Sequence, residues 1–499
     1  MLKNQKVTDI LSFVKKNIFA IFSILLILNN LAATVQRIFI YAINHYETQN
    51  MHIFWKIANG AVPYKDFFTL KGPLYLLFNS FIYKVFLNSQ NFDVFFNFRV
   101  LHFSFYVLSA VFLFLICRLL NRSLNFALVT VAICFMWHLP NNQAFTICEL
   151  PFLSFIFLLS IFFYLLAYKN NIYLYFFAFF LSSLIFIDLK MIFVVIIFLF
   201  FLFSDKNFIE NKNRLSQLLI GFVTALFVVL IFFFYKYSIS EFFKLFFDFN
   251  LFDIPSWQKD LFDKQFLDLF LKQDIVLVVF FLLALAYVVE LGLIAFLFLS
   301  LIFTVFYLSS FGFDIKFVAI VLPLASFIIS YFFDTVLLSY LSKLRLLPFV
   351  IFVFSICFLF GNQFGHTLVY KESIYSKDIN EQKVNFNFFK ETNVNNLKIP
   401  ILTHACPAFA FQNDLGFYFN AEYKAYRYSG LDLQVKYMIQ QIEQYDLPYF
   451  LGGLTELNWS PPEIQNYLKA NYVFYDNLPG SQKSPFNCIW MKKELVNIE

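Results

Sequence analysis

Glycine and charge are both scarce in this 499-residue chain: it has 12 glycines, and Asp, Glu, Lys and Arg together make up only 14% of it. So little charge, beside 60% hydrophobic residues, leaves far more apolar surface than a water-soluble core of this length hides. The solvent for most of the chain is therefore expected to be lipid. The shortage of glycine argues against a membrane barrel, whose alternating strands are separated by turn residues, and for long helices. The net charge is only +5, and Lys and Arg sit at the edges of apolar runs and not in basic stripes, which speaks against nucleic acid. Cysteine is also sparse. Of six, Cys117, Cys134, Cys148 and Cys357 lie in or beside apolar runs as small packing residues. Cys406 and Cys488 fall in a polar tail, where they are either two separate thiols or a disulfide if that tail faces an oxidising compartment. His52, His102 and His138 have no metal-ligand spacing, so no metal is assigned; a divalent cation is compatible with the sequence but not indicated by it.

What the chain has in abundance is phenylalanine, 79 residues, concentrated in long apolar runs. At about 20 apolar residues per span, helices are expected near 17–43, 96–118, 123–140, 147–167, 172–187, 190–204, 215–236, 275–289, 292–309, 316–333 and 346–361. The first run carries a basic flank and no small-residue cleavage site, so it reads as a retained helix. Lys3, Lys6, Lys15 and Lys16 precede it. Arg118, Arg122, Lys169, Lys206, Lys212, Arg214, Lys343 and Arg345 then fall in every second connection, which predicts a cytoplasmic N-terminus. An odd number of spans puts the tail outside, together with 44–95, 141–146 and 237–274. Residues 1–361 thus form an α-helical polytopic membrane domain. Residues 362–499 form a small extracytoplasmic α/β domain, with strands at Ile399–Ala405, Tyr472–Tyr475 and Cys488–Met491 and helices at Leu433–Gln444 and Pro462–Ala470.

The first outer segment is the densest in polar side chains. From Met51, the residues Phe54, Trp55 and Ala58 share one helical face and Gln49, His52, Lys56 and Asn59 the other, which predicts an amphipathic helix along the membrane interface, ended by Gly60. Glu47 stands at its N-terminus and Asp66 follows a Gly and Pro turn. Two readings stand for this pair: carboxylates for acid/base work on a lipid-linked substrate, or a charge complement to the helix dipole and a turn former. Further along, Glu149 follows a short outer loop and Asp188 sits two residues from Lys190 between two apolar spans. Ionisable residues so placed are functional candidates or local polar turns. The 237–274 segment, with its Asp, Lys and Phe residues and Trp257, reads as a second interfacial element.

The block from Tyr46 to Leu74, with Glu47, His52, Gly60, Pro63-Tyr64-Lys65-Asp66-Phe67-Phe68 and Pro73-Leu74, resembles the first outer loop of the GT-C glycosyltransferases. It is most similar to the bacterial branch related to protein O-mannosyltransferases and lipid A aminoarabinose transferases. The helix number, the long second outer loop and the terminal outer domain are similar too. The sequence departs from that pattern at Tyr46, where the family has the Asp of an Asp-Glu pair, so Glu47 or Asp66 is expected to act as the catalytic base. The resemblance implies a multi-pass protein of the bacterial inner membrane. It implies inverting transfer of a sugar from a polyprenyl-phosphate donor to a glycan, lipid or protein acceptor at the outer face. Binding of donor or acceptor is then expected from His52, Tyr64 and Glu149 and from the cations Lys71, Arg99, Lys190 and Lys316, each of which has a plainer reading as a side chain snorkelling to the interface. Two rival functions share these features. A transporter or flippase of lipid-linked glycans would carry paired Gly- or Pro-broken helices in related halves, and here only Pro323 and Pro348 break late spans. A non-catalytic binding protein of the same fold is the other.

Overall fold

The computed structural model describes residues 2–67, 69, 71–87, 89–137, 144–204, 212–236, 238–243, 246, 274, 277–285, 297–302, 318–337, 379–380, 382–383, 443, 449–451, 462–474 and 489–493. Lys316, His138, Cys406 and Cys488 lie outside them. So do the 346–361 span, the Ile399–Ala405 strand, nearly all of the Leu433–Gln444 helix and most of the 237–274 segment.

The described residues form a helical bundle. Its helices are α1 (Leu2–Ile40), α2 (His45–Ala58), α3 (Pro73–Ile82, continued by a π-turn over Tyr83–Leu87), α4 (Asp93–Leu119) and α5 (Leu124–Cys134), then α6 (Glu149–Ala167), α7 (Ile172–Ile187), α8 (Ile192–Ser204), α9 (Lys212–Tyr235), α10 (Ile239–Phe242) and α11 (Val318–Phe332). Among the described residues, five stretches are long and apolar enough to cross a membrane: Ala20–Ile40, Asp93–Leu119, Glu149–Ala167, Asn213–Tyr235 and Val318–Thr335. The protein is a multi-pass helical membrane protein.

Local chemistry sets the helix ends. The Ser123 hydroxyl accepts the Phe126 N–H at 3.1 Å and starts α5. Pro73 opens α3 from the first helical position, where its missing N–H costs nothing. With little glycine to bring helices together, aromatic rings fill the seams. Phe152 of α6 meets Phe105 of α4 at 5.0 Å and Phe78 of α3 at 5.1 Å between ring centroids. Gly221 marks one close backbone approach, on α9 where it crosses α7. A Cβ there would stand 2.4 Å from the Tyr175 carbonyl oxygen. Leu219, Ile220, Val223, Phe227, Ile231 and Phe234 of α9 are exposed, the apolar face that lipid covers. By contrast α11 is buried along its whole length.

Two elements differ from the sequence expectation. The 44–95 segment is not one loop with a single surface helix: it also contains the apolar helix Pro73–Leu87. And α2 does not lie half-exposed on the interface. Every residue from Glu47 to Trp55 is buried, polar and apolar faces alike. α3 folds back against α2, with Tyr75 meeting Phe54 at 5.5 Å between ring centroids, and the backbone at Ile147 docks on Glu47 and Asn50. In the C-terminal part, β1 (Tyr449–Leu451), β2 (Tyr472–Phe474) and β3 (Ile489–Lys492) form an antiparallel sheet in the order β1-β3-β2, and α12 (Pro462–Asn471) leads directly into β2.

Candidate functional site

The polar residues of the first long segment gather at one end of the bundle, where the N-termini of α2, α3 and α6 meet the turn between α7 and α8. The start of α2 is a capping box. The Asn44 side chain accepts the Glu47 N–H at 3.0 Å, and the Glu47 carboxylate accepts the Asn44 N–H at 3.1 Å. Glu47 does more than cap. Its Oε1 also accepts Arg99 Nε at 2.7 Å and the Ile147 N–H at 3.1 Å, and its Oε2 accepts Arg99 Nη2 at 2.7 Å. A carboxylate has about four acceptor positions, and here each has its donor. Asn50, one turn along α2, donates to the Ile147 carbonyl at 2.6 Å, so Ile147 is gripped by both its backbone groups.

Arg99 is saturated in the same way. Its remaining N–H groups donate to the carbonyls of Ile38, Tyr41 and Ala42 at 3.0, 2.7 and 2.9 Å, the last carbonyls of α1 and its exit. Glu47 and Arg99 are each about 1% exposed at the side chain. The site expected at these two residues is a closed node between α1, α2, α4 and the segment before α6.

A second, more open cluster lies beside it. Lys71 Nζ contacts Glu149 Oε2 at 2.7 Å, both side chains retaining partial exposure. Glu149 is the first residue of α6, where the helix dipole favours a carboxylate. Lys71 reaches it because the next residue, Gly72, presses on the C-terminus of α7. The Gly72 N–H donates to the Ile187 carbonyl at 3.2 Å, and a Cβ on Gly72 would fall 2.2 Å from that oxygen and 2.4 Å from the Phe186 oxygen. The following residue of that turn is Asp188, whose Oδ1 accepts the Lys190 N–H at 2.9 Å. Asp188 lies within electrostatic reach of Lys190, Glu149 and Lys71. Packing around its carboxyl raises its pKa above the ordinary carboxylate value, and the two lysines only partly offset this.

Tyr64 and Asp66 sit on the turn between α2 and α3. Tyr64 has φ +68°, an uncommon conformation for a bulky residue. It is held there by its N–H on the Phe67 carbonyl at 2.9 Å, by its hydroxyl on the Lys71 carbonyl at 2.5 Å, and by Phe233, Phe242 and Phe246 around its ring. Asp66 is exposed, and one carboxylate oxygen accepts the Val62 N–H at 2.7 Å. His52 is buried and stacked on Trp55, away from any cluster of metal-ligating side chains; among the described residues no three His, Cys, Asp or Glu converge on one point.

The structure thus joins Lys71, Glu149, Lys190 and Asp188 in one cluster and Glu47 and Arg99 in another, with Tyr64 tethered to the backbone of Lys71. It adds one pair that sequence reasoning missed. His102 Nδ1 lies 2.8 Å from the Phe98 carbonyl, which makes it the donor, so in the neutral ring Nε2 accepts the Tyr75 hydroxyl at 3.1 Å. Both are fully buried below the cluster, and no sequence spacing links α3 to α4 in this way.

No protein-family model matches the sequence, and no curated protein is significantly similar to it. Solved structures do match. The crystal structure of ArnT from Cupriavidus metallidurans bound to undecaprenyl phosphate superposes with a TM-score of 0.61 at 10% identity, over 94% of this chain and 97% of that one. The Archaeoglobus fulgidus oligosaccharyltransferase tethered to an acceptor peptide superposes with a TM-score of 0.53 at 11% identity, over 93% of this chain and 73% of that one. The resemblance carried by the Tyr46–Leu74 block therefore extends to the fold, which this protein shares with GT-C membrane glycosyltransferases.

Proposed function

We propose that this protein is a membrane glycosyltransferase. It moves a sugar from a polyprenyl-phosphate donor to a glycan, lipid or protein acceptor at the outer face of a bacterial inner membrane. The observation that carries this reading is the mixed cluster of Lys71, Glu149, Asp188 and Lys190 at one end of an apolar bundle. The binding of undecaprenyl phosphate by ArnT, a protein of the same fold, supports it.

In the reaction the anomeric carbon loses its bond to the donor phosphate and gains one to the acceptor oxygen or nitrogen from the opposite side. The acceptor proton passes to a carboxylate, and the departing phosphate keeps the electron pair of the broken bond. Asp66 takes the role of base, because it is exposed and only one of its oxygens carries a backbone hydrogen bond. Glu47, with every acceptor position filled, holds α2 in place together with Arg99 and does not accept the proton. Lys71 and Lys190 face the negative charge that develops on the leaving phosphate, and Glu149 orients Lys71. Tyr64 fixes the turn that carries Asp66 relative to Lys71. Lys316 adds a further donor or acceptor contact, and His52, buried against Trp55, supports α2 from within.

The test is mass spectrometry of envelope glycans and polyprenyl-phosphate sugars in cells carrying the native protein, a deletion or Asp66→Asn, with membrane abundance checked for each. Loss of one defined sugar, with its lipid donor accumulating in both altered strains, is the expected result. Unchanged glycans in the deletion would sink the transferase reading, and a sugar lost in the deletion but retained in Asp66→Asn would move the base elsewhere.

A further inference from the structure

The link between α1 and α2 is held by a residue far away in sequence. Gln382 is buried, and its side-chain amide forms two hydrogen bonds with one residue. Its Oε1 accepts the Ile43 N–H at 2.8 Å and its Nε2 donates to the Ile43 carbonyl at 2.9 Å. Ile43, itself 1% exposed, therefore has both backbone groups satisfied by a side chain 339 positions away. Such a two-way bond reproduces one rung of a sheet. Gln offers a donor and an acceptor side by side at the right reach, as no carboxylate, alcohol or apolar side chain does. The contact is reinforced by its neighbours. Ile379 is buried in the main apolar core, and Lys383 forms an exposed ion pair with Asp93 at 3.3 Å.

Ile43 is flanked on both sides by the closed node. The carbonyls before it, of Tyr41 and Ala42, belong to Arg99, and the N–H after it, of Asn44, belongs to Glu47. From Tyr41 to Asn44 the backbone is thus fixed in turn by Arg99, Gln382 and Glu47, and α2 begins at the next residue. We propose that Gln382 is a positioning residue of the site: through Ile43 it lets the part of the protein that follows α11 set the start of α2, and with it the first long segment. This goes beyond the transferase reading in tying the C-terminal part to the site, and only its effect on turnover rests on that reading.

The experiment compares the full-length native protein with Gln382→Met and Gln382→Glu in lipid nanodiscs, by backbone hydrogen exchange at matched pH. Methionine keeps the length and removes both hydrogen bonds. Peptides covering 41–50 are expected to exchange at least about tenfold faster, since each buried group left unpaired is costly, while those within 149–167 stay near native. Glutamate gives the discriminating readout. Its protonated carboxyl both donates and accepts, so near pH 5 it should protect 41–50 almost as the native amide does. Near pH 8 its carboxylate faces the Ile43 carbonyl and protection should fall towards that of methionine. Unchanged exchange in Gln382→Met overturns the proposal, as does a Gln382→Glu variant whose protection relative to native is the same at both pH values. If Gln382→Met fails to insert, the two pH points of Gln382→Glu decide alone. Donor turnover should follow the same order, with native above glutamate and glutamate above methionine. If the native protein turns over no lipid-linked sugar, the transferase reading fails while the exchange result still judges the clamp.

Discussion

Arg99 forks onto Glu47 through Nε and Nη2, each at 2.7 Å, and the pair is closed to water on all sides. The five N–H groups of a guanidinium and the four acceptor positions of a carboxylate are all occupied, by Glu47 and the carbonyls of Ile38, Tyr41 and Ala42 on one side and by Arg99, Ile147 and Asn44 on the other. Removing one partner leaves a buried charge with nothing to balance it. Arg99→Met should therefore destabilise the protein by about 3–5 kcal/mol, read as a lowered unfolding temperature in detergent or nanodiscs.

The paired variant Glu47→Leu with Arg99→Met separates two contributions. Where a buried ion pair stands alone, apolar replacement of both partners is often close to neutral. Here the double variant should recover only part of the loss, because the carbonyls of Ile38, Tyr41 and Ala42 and the N–H of Ile147 remain without partners, at about 1–3 kcal/mol for each fully orphaned group. Complete recovery would mean that the ion pair, and not the backbone it gathers, sets the stability of this end of the bundle.

Asp66 and Glu149 should respond differently to the loss of charge. Asp66→Asn keeps the Val62 hydrogen bond in reach and removes only the basic oxygen, so stability should hold while transfer falls by roughly 100-fold or more, the usual weight of a positioned base. Glu149→Gln releases Lys71 from a half-open ion pair, which costs about 1 kcal/mol or less. It should chiefly raise KM for the lipid donor, because Lys71 loses its orientation. Steady-state kinetics with both variants in membranes distinguishes a turnover effect from a binding effect.

The sequence made some of this visible and hid the rest. The five apolar stretches, the helix start at Glu47 and the end of α2 at Gly60 are signals local in the chain, whereas the helix that Pro73 opens went unread because its surroundings read as an outer loop. The Tyr46–Leu74 block carried the fold likeness. What stayed hidden is long-range. For Glu47 the acid/base and helix-dipole readings stood side by side, because nothing in the sequence brings Arg99 and Ile147, 52 and 100 positions away, onto its oxygens. The burial of α2 stayed hidden for the same reason: the groups that close over its start, Arg99, Ile147 and Tyr75, come from elsewhere in the chain. The Gln382 clamp lies 339 positions from Ile43 and has no periodicity at all.

Gly72 is expected to tolerate no side chain. A Cβ there would lie within 2.4 Å of two carbonyl oxygens at the end of α7, and these are backbone atoms that cannot swing aside as a side chain does. Gly72→Ala should cost about 1–3 kcal/mol as an overpacking change. It should also weaken donor binding by pulling Lys71 from Glu149, an effect that Gly221→Ala, at the α9–α7 crossing, should not reproduce even if it destabilises the bundle as much. Thermal unfolding and donor KM measured on both variants provide the comparison.

Asp188 supplies the pH signature of the cluster. Its folded-state pKa is raised by the packing around it, so the folded protein holds this proton more tightly than the unfolded state does. The sign follows directly: as pH rises from the ordinary carboxylate pKa, the unfolded state loses the proton first, and stability declines until the raised folded pKa is passed. Asp188→Asn removes that slope. The difference in unfolding temperature between Asp188→Asn and the native protein should therefore move in favour of the variant between about pH 4 and pH 8. If the native protein instead gains on the variant across that range, the two lysines outweigh the surrounding packing and hold Asp188 ionised. It would then act as a fixed negative charge between Lys71 and Lys190, with no role in proton exchange at neutral pH.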